Sequence, residues 1–549
     1  MSMGDYSTNV AMAYAKQLGK KPLELATEIK NKLEEKKTPH ISKIDVVNPG
    51  FINFFFTPGY FSERMEKLRS GDLRNHIFYG QKFFLEHTQP NPFKVFHIGH
   101  LMNNTIGESI ARILIKNGAE IKTCSYHGDV GLHVAKAIWG LLVFVGQVDA
   151  RLKEKWDKNV SPIKILETSE IINKEKLEDN LMFAYEYGSK HYELDEDARK
   201  EIQDINKKIY DRSDKKVNEL YDWGRTRSLD NFEAIYERLG SSFDYHFYES
   251  ESGEVGKSLV LENIGKVFEE GDEGAVIFRG ENFIPKTHTR VFLTKESLPT
   301  YEAKELGLAK MKNDLWSYNQ SITVTAAEQD SFFNVVEVAI GEVFPELKGK
   351  LKHLSHGMLK LPSGKMSSRL GNIISADSLI DQVKQKIKEK INDDVNAEII
   401  AVGAIKYSIL RQAIGGDIIF DFDKSISFEG DSGPYLQYAT VRANSILNKA
   451  IGIVDVSNKI PNGWNTTNLE KMLDNFLYVL ERAGREYAPH HIVTYLTELS
   501  GEFNSFYASH KIIDASDSTS SYRLSLTRTY VYWMVGGLHL LGIKVPSQM

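Results

Sequence analysis

Apolar residues along the chain fall into two rhythms, one near period two and one near 3.6, and the switches between them mark its elements. The run Phe83-Phe84-Leu85 reads as a buried strand. Pro90 and Pro92 break it, and Ile106, Ile110, Ile113 and Leu114 then recur at helical spacing from near His100 to a stop at Gly118. Ile121 to Tyr126 predicts the next strand. The stretch is a βαβ unit whose first loop carries His97-Ile98-Gly99-His100 to a helix start.

Upstream, the spacing predicts helices over Thr8 to Leu18 and Pro22 to Leu33, then strands Ile41 to Val47 and Phe51 to Phe56 around Asn48-Pro49-Gly50. Residues 1–78 are therefore an α+β domain. From 148 to 235 mixed charges crowd an otherwise helical pattern, which predicts an inserted block of solvated helices without chemistry of its own. Strand patterns return over 236–345, in FDYHFYES, AVIFRG, THTRVFLT and ITVTA. A helical connecting segment spans 371–429, and 430–549 is helical and aromatic-rich.

Composition narrows the class. A chain of 549 residues holds several domains, and 42% hydrophobic with 26% charged residues is ordinary for a globular protein. No apolar run of about 18 residues spans a membrane, and the first residues lack an apolar secretory core. The single cysteine, Cys124, excludes an internal disulfide and a cysteine-rich zinc site. Cytoplasm is the default expectation, and monomer likewise. The net charge of −6 argues against nucleic acid only weakly, because binding needs local patches.

The candidate chemistry sits in two loops. A helix start offers free N–H groups and a positive dipole end, a natural seat for phosphate. Gly99 lets a flat ring lie against the backbone, and His97 and His100 can both face that seat. Taken alone, the tetrapeptide reads first as two capping histidines. The second loop, Lys360-Leu361-Pro362-Ser363-Gly364-Lys365-Met366-Ser367-Ser368-Arg369, is rich in Gly, Pro and Ser and carries three cationic side chains, suited to closing over a polyphosphate or to plain solvation.

Together these loops match the HIGH and KMSKS motifs of class I aminoacyl-tRNA synthetases. With NPFKVFHIGHL, YEAKELGLA, AAEQD, HGMLKLPSGKMSSRLGN and DSGPYLQYATVRANSIL the chain resembles arginyl-tRNA synthetases over nearly its whole length. The resemblance implies an α/β fold with a Rossmann-type parallel-sheet core over 79–147 and 236–370, an N-terminal domain touching the tRNA elbow, the 148–235 helical insertion, and an all-α anticodon-binding domain over 430–549. It implies ligation of arginine to tRNA(Arg) through arginyl-adenylate, with ATP as substrate and Mg2+ carried on it. ATP would meet His97, Gly99, His100, Lys365, Met366 and Ser367. Arginine would meet Asn91, Glu251, Tyr301, Glu305 and Gln329, with Glu249 the alternative to Glu251 if the register slips by two. Val130 stands where the family has an aromatic residue. Ser368 stands where other synthetases carry a second lysine, and Lys94 or Arg369 would supply the missing cation. Tyr507 or Tyr522 would stack on anticodon bases. Guanidinium is a planar, permanent cation with a fork of donors, which bidentate carboxylates suit. The rival readings are another class I specificity and a catalytically silent tRNA-binding paralogue.

Overall fold

The computed structural model describes residues 4–36, 38–71, 73–148, 177–360 and 375–549. Its N-terminal unit contains β1 (Tyr6–Thr8), α1 (Val10–Ala15), α2 (Pro22–Glu35), β2 (Ile41–Val47), β3 (Phe51–Phe56) and α3 (Pro58–Ser70). The strands form an antiparallel sheet in the order β1-β3-β2. The long helix expected from Thr8 is shorter, because Tyr6–Thr8 is drawn into a ladder with Ile52–Phe54.

Five parallel strands build the central sheet. They are β4 (Lys82–Glu86), β5 (Glu120–His127), β6 (Tyr245–Tyr248), β10 (Gln320–Ala326) and β11 (Leu351–His356), in the order β11-β10-β4-β5-β6. From β4 the chain builds outward in one direction through β5 and β6, then crosses back to β10 on the other side. The strand order reverses between β4 and β10, and in open α/β sheets the crevice beyond the strand ends at that point is where ligands bind. A small antiparallel sheet, β7 (Glu269–Glu270), β8 (Val276–Phe278) and β9 (Arg290–Leu293), is inserted before β10.

The crossover after β4 is α4 (Ile98–Lys116), buried along most of its length. Its apolar side chains share one core with the sheet and with α12 (Ala376–Lys388), α13 (Asp394–Leu410), the short α14 (Phe422–Ser425) and the C-terminal helices α15 (Gly433–Ala450), α16 (Asn468–Glu486), α17 (His490–Ser509) and α18 (Ser520–Leu540). On the opposite face of the sheet a second core contains α10 (Tyr301–Leu315) and α11 (Asp330–Val343). The insertion supplies α6 (Leu177–Leu194), α7 (Glu196–Asp211) and α8 (Lys215–Leu239), which pack on α5 (Leu132–Val148) around a third core. These helices are more than a solvated block: α8 buries Phe232, Ile235, Tyr236 and Leu239 in the core of the sheet.

One carboxylate joins the two ends of the chain. Asp474 on α16 has no exposed side-chain surface, accepts from Tyr6 Oη at 2.6 Å and Tyr60 Oη at 3.4 Å, and pairs with Arg64 Nε at 2.5 Å. Tyr522 is buried, its hydroxyl bonded to Glu470 at 2.7 Å, so it packs the helical core and presents no face to bases. Tyr507 is exposed, with the Arg442 guanidinium 4.6 Å from its ring.

Candidate active site at the ends of the parallel strands

The helix expected from near His100 opens at Ile98, and the two histidines are its cap. His97 Nδ1 accepts from the Gly99 N–H at 3.1 Å, and His100 Nδ1 accepts from the His97 N–H at 3.3 Å. The rings stack 3.8 Å apart. A neutral imidazole that accepts at Nδ1 carries its proton at Nε2, so each ring is left with an Nε2–H donor. Capping and ligand donation are thus compatible roles. Burial lowers the His97 pKa to about 4, with the Lys94 charge adding to it. Burial, then His97 and Lys94, holds His100 well below the ordinary imidazole range. The pair offers uncharged donors at neutral pH.

Lys94 lies one helical turn upstream in sequence, on a loop with left-handed backbone at Thr88 (φ 77°), Gln89 (φ 51°) and Phe93 (φ 65°). Such residues cost about 1–3 kcal/mol each and persist where surrounding structure enforces them. Burial lowers the Lys94 pKa, opposed by Glu249.

Beside this shelf is an acidic recess. In it α9 (Glu249–Glu262) follows β6, and its first residue turns inward. A Cβ added to Gly128 would lie 2.6 Å from Asn91 Oδ1 and 3.0 Å from Glu249 Oε1, so these two side chains flank the same glycine. Asn91 Oδ1 accepts the Gly128 N–H at 3.0 Å. Glu249 Oε2 pairs with Lys304 Nζ at 2.6 Å, and Lys304 is only 4% exposed. Burial raises the Glu249 pKa against the pull of Lys304. The same Lys304 ammonium lies 5.1 Å from the ring centre of Tyr301, which is itself 60% exposed. Helices α9 and α10 approach at backbone distance, since a Cβ on Gly256 would sit 1.8 Å from the Ala303 carbonyl oxygen.

Glu251 requires a correction. A helix turns 100° per residue, so two positions carry a side chain to the opposite face. Glu249 faces the recess and Glu251 is exposed to solvent. Glu305 lies close to both Glu249 and Glu86, and burial and then the neighbouring Glu86 charge raise its pKa well above the ordinary carboxylate range. Glu86, 1% exposed, is ion-paired with the buried Lys312. Of these three carboxylates, Glu305 alone has no ion-pair partner among the described residues. Gln329 is exposed at the turn between β10 and α11. Lys365, Met366, Ser367 and the competing Arg369 lie outside the described residues. The chain re-enters them at Ser375, which bridges to His97, and Ala376 N–H donates to Phe96 O at 2.8 Å.

The Gly128-Asp129 turn is a junction. Asp129 accepts from Ser250 N at 2.9 Å, Ser250 Oγ at 2.7 Å, Arg225 Nε at 2.9 Å and Tyr221 Oη at 3.1 Å. Val130, in the place of an aromatic residue, is buried in the core of the insertion. The residues that sequence pattern missed are Lys304, Lys312, Glu86 and two tyrosines of the insertion. A signal existed for the lysines. Lys304, Leu308 and Lys312 follow at four-residue spacing, so both charges lie on a buried stripe.

A family model described as tRNA synthetases class I (R), catalytic domain, matches residues 68–422, more than half of the chain. The chain belongs to the class I arginyl-tRNA synthetase family. Models for the arginyl tRNA synthetase N terminal domain and the DALR anticodon binding domain match residues 1–56 and 436–549. Among curated relatives, an arginine–tRNA ligase of Borrelia garinii is 30% identical over 85% of this chain and 80% of its own length. One from Porphyromonas gingivalis is 28% identical over 99% and 93%. The Thermus thermophilus arginyl-tRNA synthetase shares the fold with a TM-score of 0.79 at 24% identity, covering 100% of this chain and 95% of that one. No helix among the described residues is long and apolar enough to cross a membrane.

Proposed function

We propose that this family member is an arginine–tRNA ligase that joins L-arginine to tRNA(Arg) through arginyl-adenylate. The observation that carries the amino-acid assignment is the Glu305 carboxyl, buried beside Glu86 and left without an ion-pair partner among the described residues. A buried carboxylate in that state favours a ligand that brings its own positive charge. Glu305 would take the guanidinium, with Tyr301 and Gln329 at the mouth. Asn91 and Glu249 would meet the α-amino end, and the guanidinium contact expected of Glu251 falls to Glu305.

The arginine carboxylate attacks the α-phosphorus of ATP, the bond to the β-phosphate bridge breaks, and pyrophosphate leaves. His97 and His100 donate Nε2–H to phosphate oxygens, and Gly99 leaves room for the adenine ring. Lys94, with Lys365 and its neighbours Met366 and Ser367 in the second motif, balances the growing negative charge on the leaving group. Lys94 is preferred to Arg369 because it sits beside the imidazole pair. The terminal ribose hydroxyl of tRNA then displaces AMP, forming the ester. Among the described residues no cluster of three or more His, Cys, Asp or Glu could hold a metal. Mg2+ would be carried by the triphosphate itself, held by phosphate oxygens and water.

In this reading residues 1–78 lean on the tRNA elbow, 430–549 hold the anticodon, and Tyr507 is one of the exposed aromatics there suited to base stacking. The enzyme works in the cytoplasm as a monomer. ATP–pyrophosphate exchange across the amino acids, with and without tRNA, tests the proposal together with aminoacylation of mixed tRNA. Arginine alone should respond. Exchange with another amino acid, or tRNA binding without any aminoacylation, refutes it.

A further inference from the structure

The insertion reaches into the active site at Lys94 from two sides. Below, Phe93 is fully buried in its left-handed conformation, and its N–H donates to Ser228 Oγ on α8 at 3.0 Å. The fit is tight enough that a Cβ on Gly224 would lie 2.2 Å from the Phe93 ring. Above, Tyr185 on α6 places its ring 5.4 Å from Lys94 Nζ. A second tyrosine of the insertion, Tyr210 on α7, lies against Lys304.

An ammonium at the end of four single bonds is a mobile charge, and a ring face within about 6 Å narrows where it rests without neutralising it. A carboxylate there would hold Lys94 more strongly but would cancel the charge needed for phosphate. An aromatic face is suited to an ammonium that must be aimed and still remain a free cation. We propose that Tyr185 is a positioning residue for adenylate formation, with its ring aiming Lys94 toward the leaving pyrophosphate while α8 fixes the Lys94 backbone through Phe93. The inference rests on the role given to Lys94 above. It adds a function to the helical insertion.

The test uses the full chain with tRNA, measuring ATP–pyrophosphate exchange for Y185L, Y185F, K94A and the double variant K94A/Y185L. Y185L should lower kcat about tenfold with KM for ATP within about twofold, because substrate still binds while the cation wanders. Y185F keeps the ring and should recover most of that loss. In the K94A background, adding Y185L should cost nothing further, since there is no ammonium left to aim. Y185F as damaged as Y185L, or an equal loss from Y185L with and without Lys94, assigns Tyr185 to packing alone and overturns the proposal. An active Y185L beside a crippled K94A overturns the positioning role only. Full activity in K94A overturns the assignment of Lys94 and this inference with it.

Discussion

Two neighbouring regions of one crevice handle charge by opposite means. The recess matches carboxylates with lysines, Glu249 with Lys304 and Glu86 with Lys312, and leaves Glu305 over. The shelf uses the uncharged imidazoles His97 and His100, whose protons are directed by the backbone groups they cap. The difference teaches that a buried site can be fitted to a cation by leaving one carboxyl without a cationic partner. On the shelf, oriented neutral donors stand beside the Lys94 ammonium, which limits the cost of desolvating charge.

The comparison breaks most visibly at Glu249. Glu249→Ala leaves Lys304 buried and unpaired and should cost about 3–5 kcal/mol of stability. Glu251→Ala, on the solvent side of the same helix, should stay within about 0.5 kcal/mol. Urea unfolding of both separates the two positions, and equal costs would refute the inward placement of Glu249. On the shelf, Lys94→Ala should slow adenylate formation by about 10²–10³-fold with little change in stability, read by pyrophosphate exchange. Glu305→Gln should raise KM for arginine by about 10²-fold while KM for ATP holds, since the recess loses the carboxyl that a bound cation would ionise. A uniform rise in both constants would mean that recess and shelf are not separable.

The smallest expected effect concerns pH. The His97 pKa is about 4 in the folded chain against 6.5 for a free imidazole. Between those values the unfolded chain binds the extra proton and the folded chain does not, so stability falls as pH drops from about 6.5 toward 4. His97→Asn keeps a capping side chain without the titration. Its unfolding midpoint, followed from pH 7 to 4.5, should decline less steeply than that of the parent. Identical slopes would show that the imidazole is not held neutral.

The shelf was largely legible in sequence, because a strand, a proline-broken loop and a helix start are local features and His97 and His100 follow from them. The helix start slipped by two residues because the histidines themselves serve as its cap, a role that periodicity does not register. The recess was legible only through resemblance. Whether Glu249 or Glu251 turns inward depends on where α9 begins, and that is set by the end of β6 and by the bonds of Ser250 to Asp129. The insertion was misread for a similar reason. Its charges are real and mostly solvated, but Tyr185, Tyr210, Gly224 and Ser228 act through contacts with residues far away in sequence, which no spacing rule within the segment reveals.

Asp474 has a mechanical meaning. Two phenols and a guanidinium from the first 64 residues converge on one carboxylate of α16, so tilting the N-terminal unit drags that helix with it. If the two terminal units hold tRNA as proposed above, Asp474 fixes the spacing between their outer faces, so a long, bent polymer laid across both meets a set gauge.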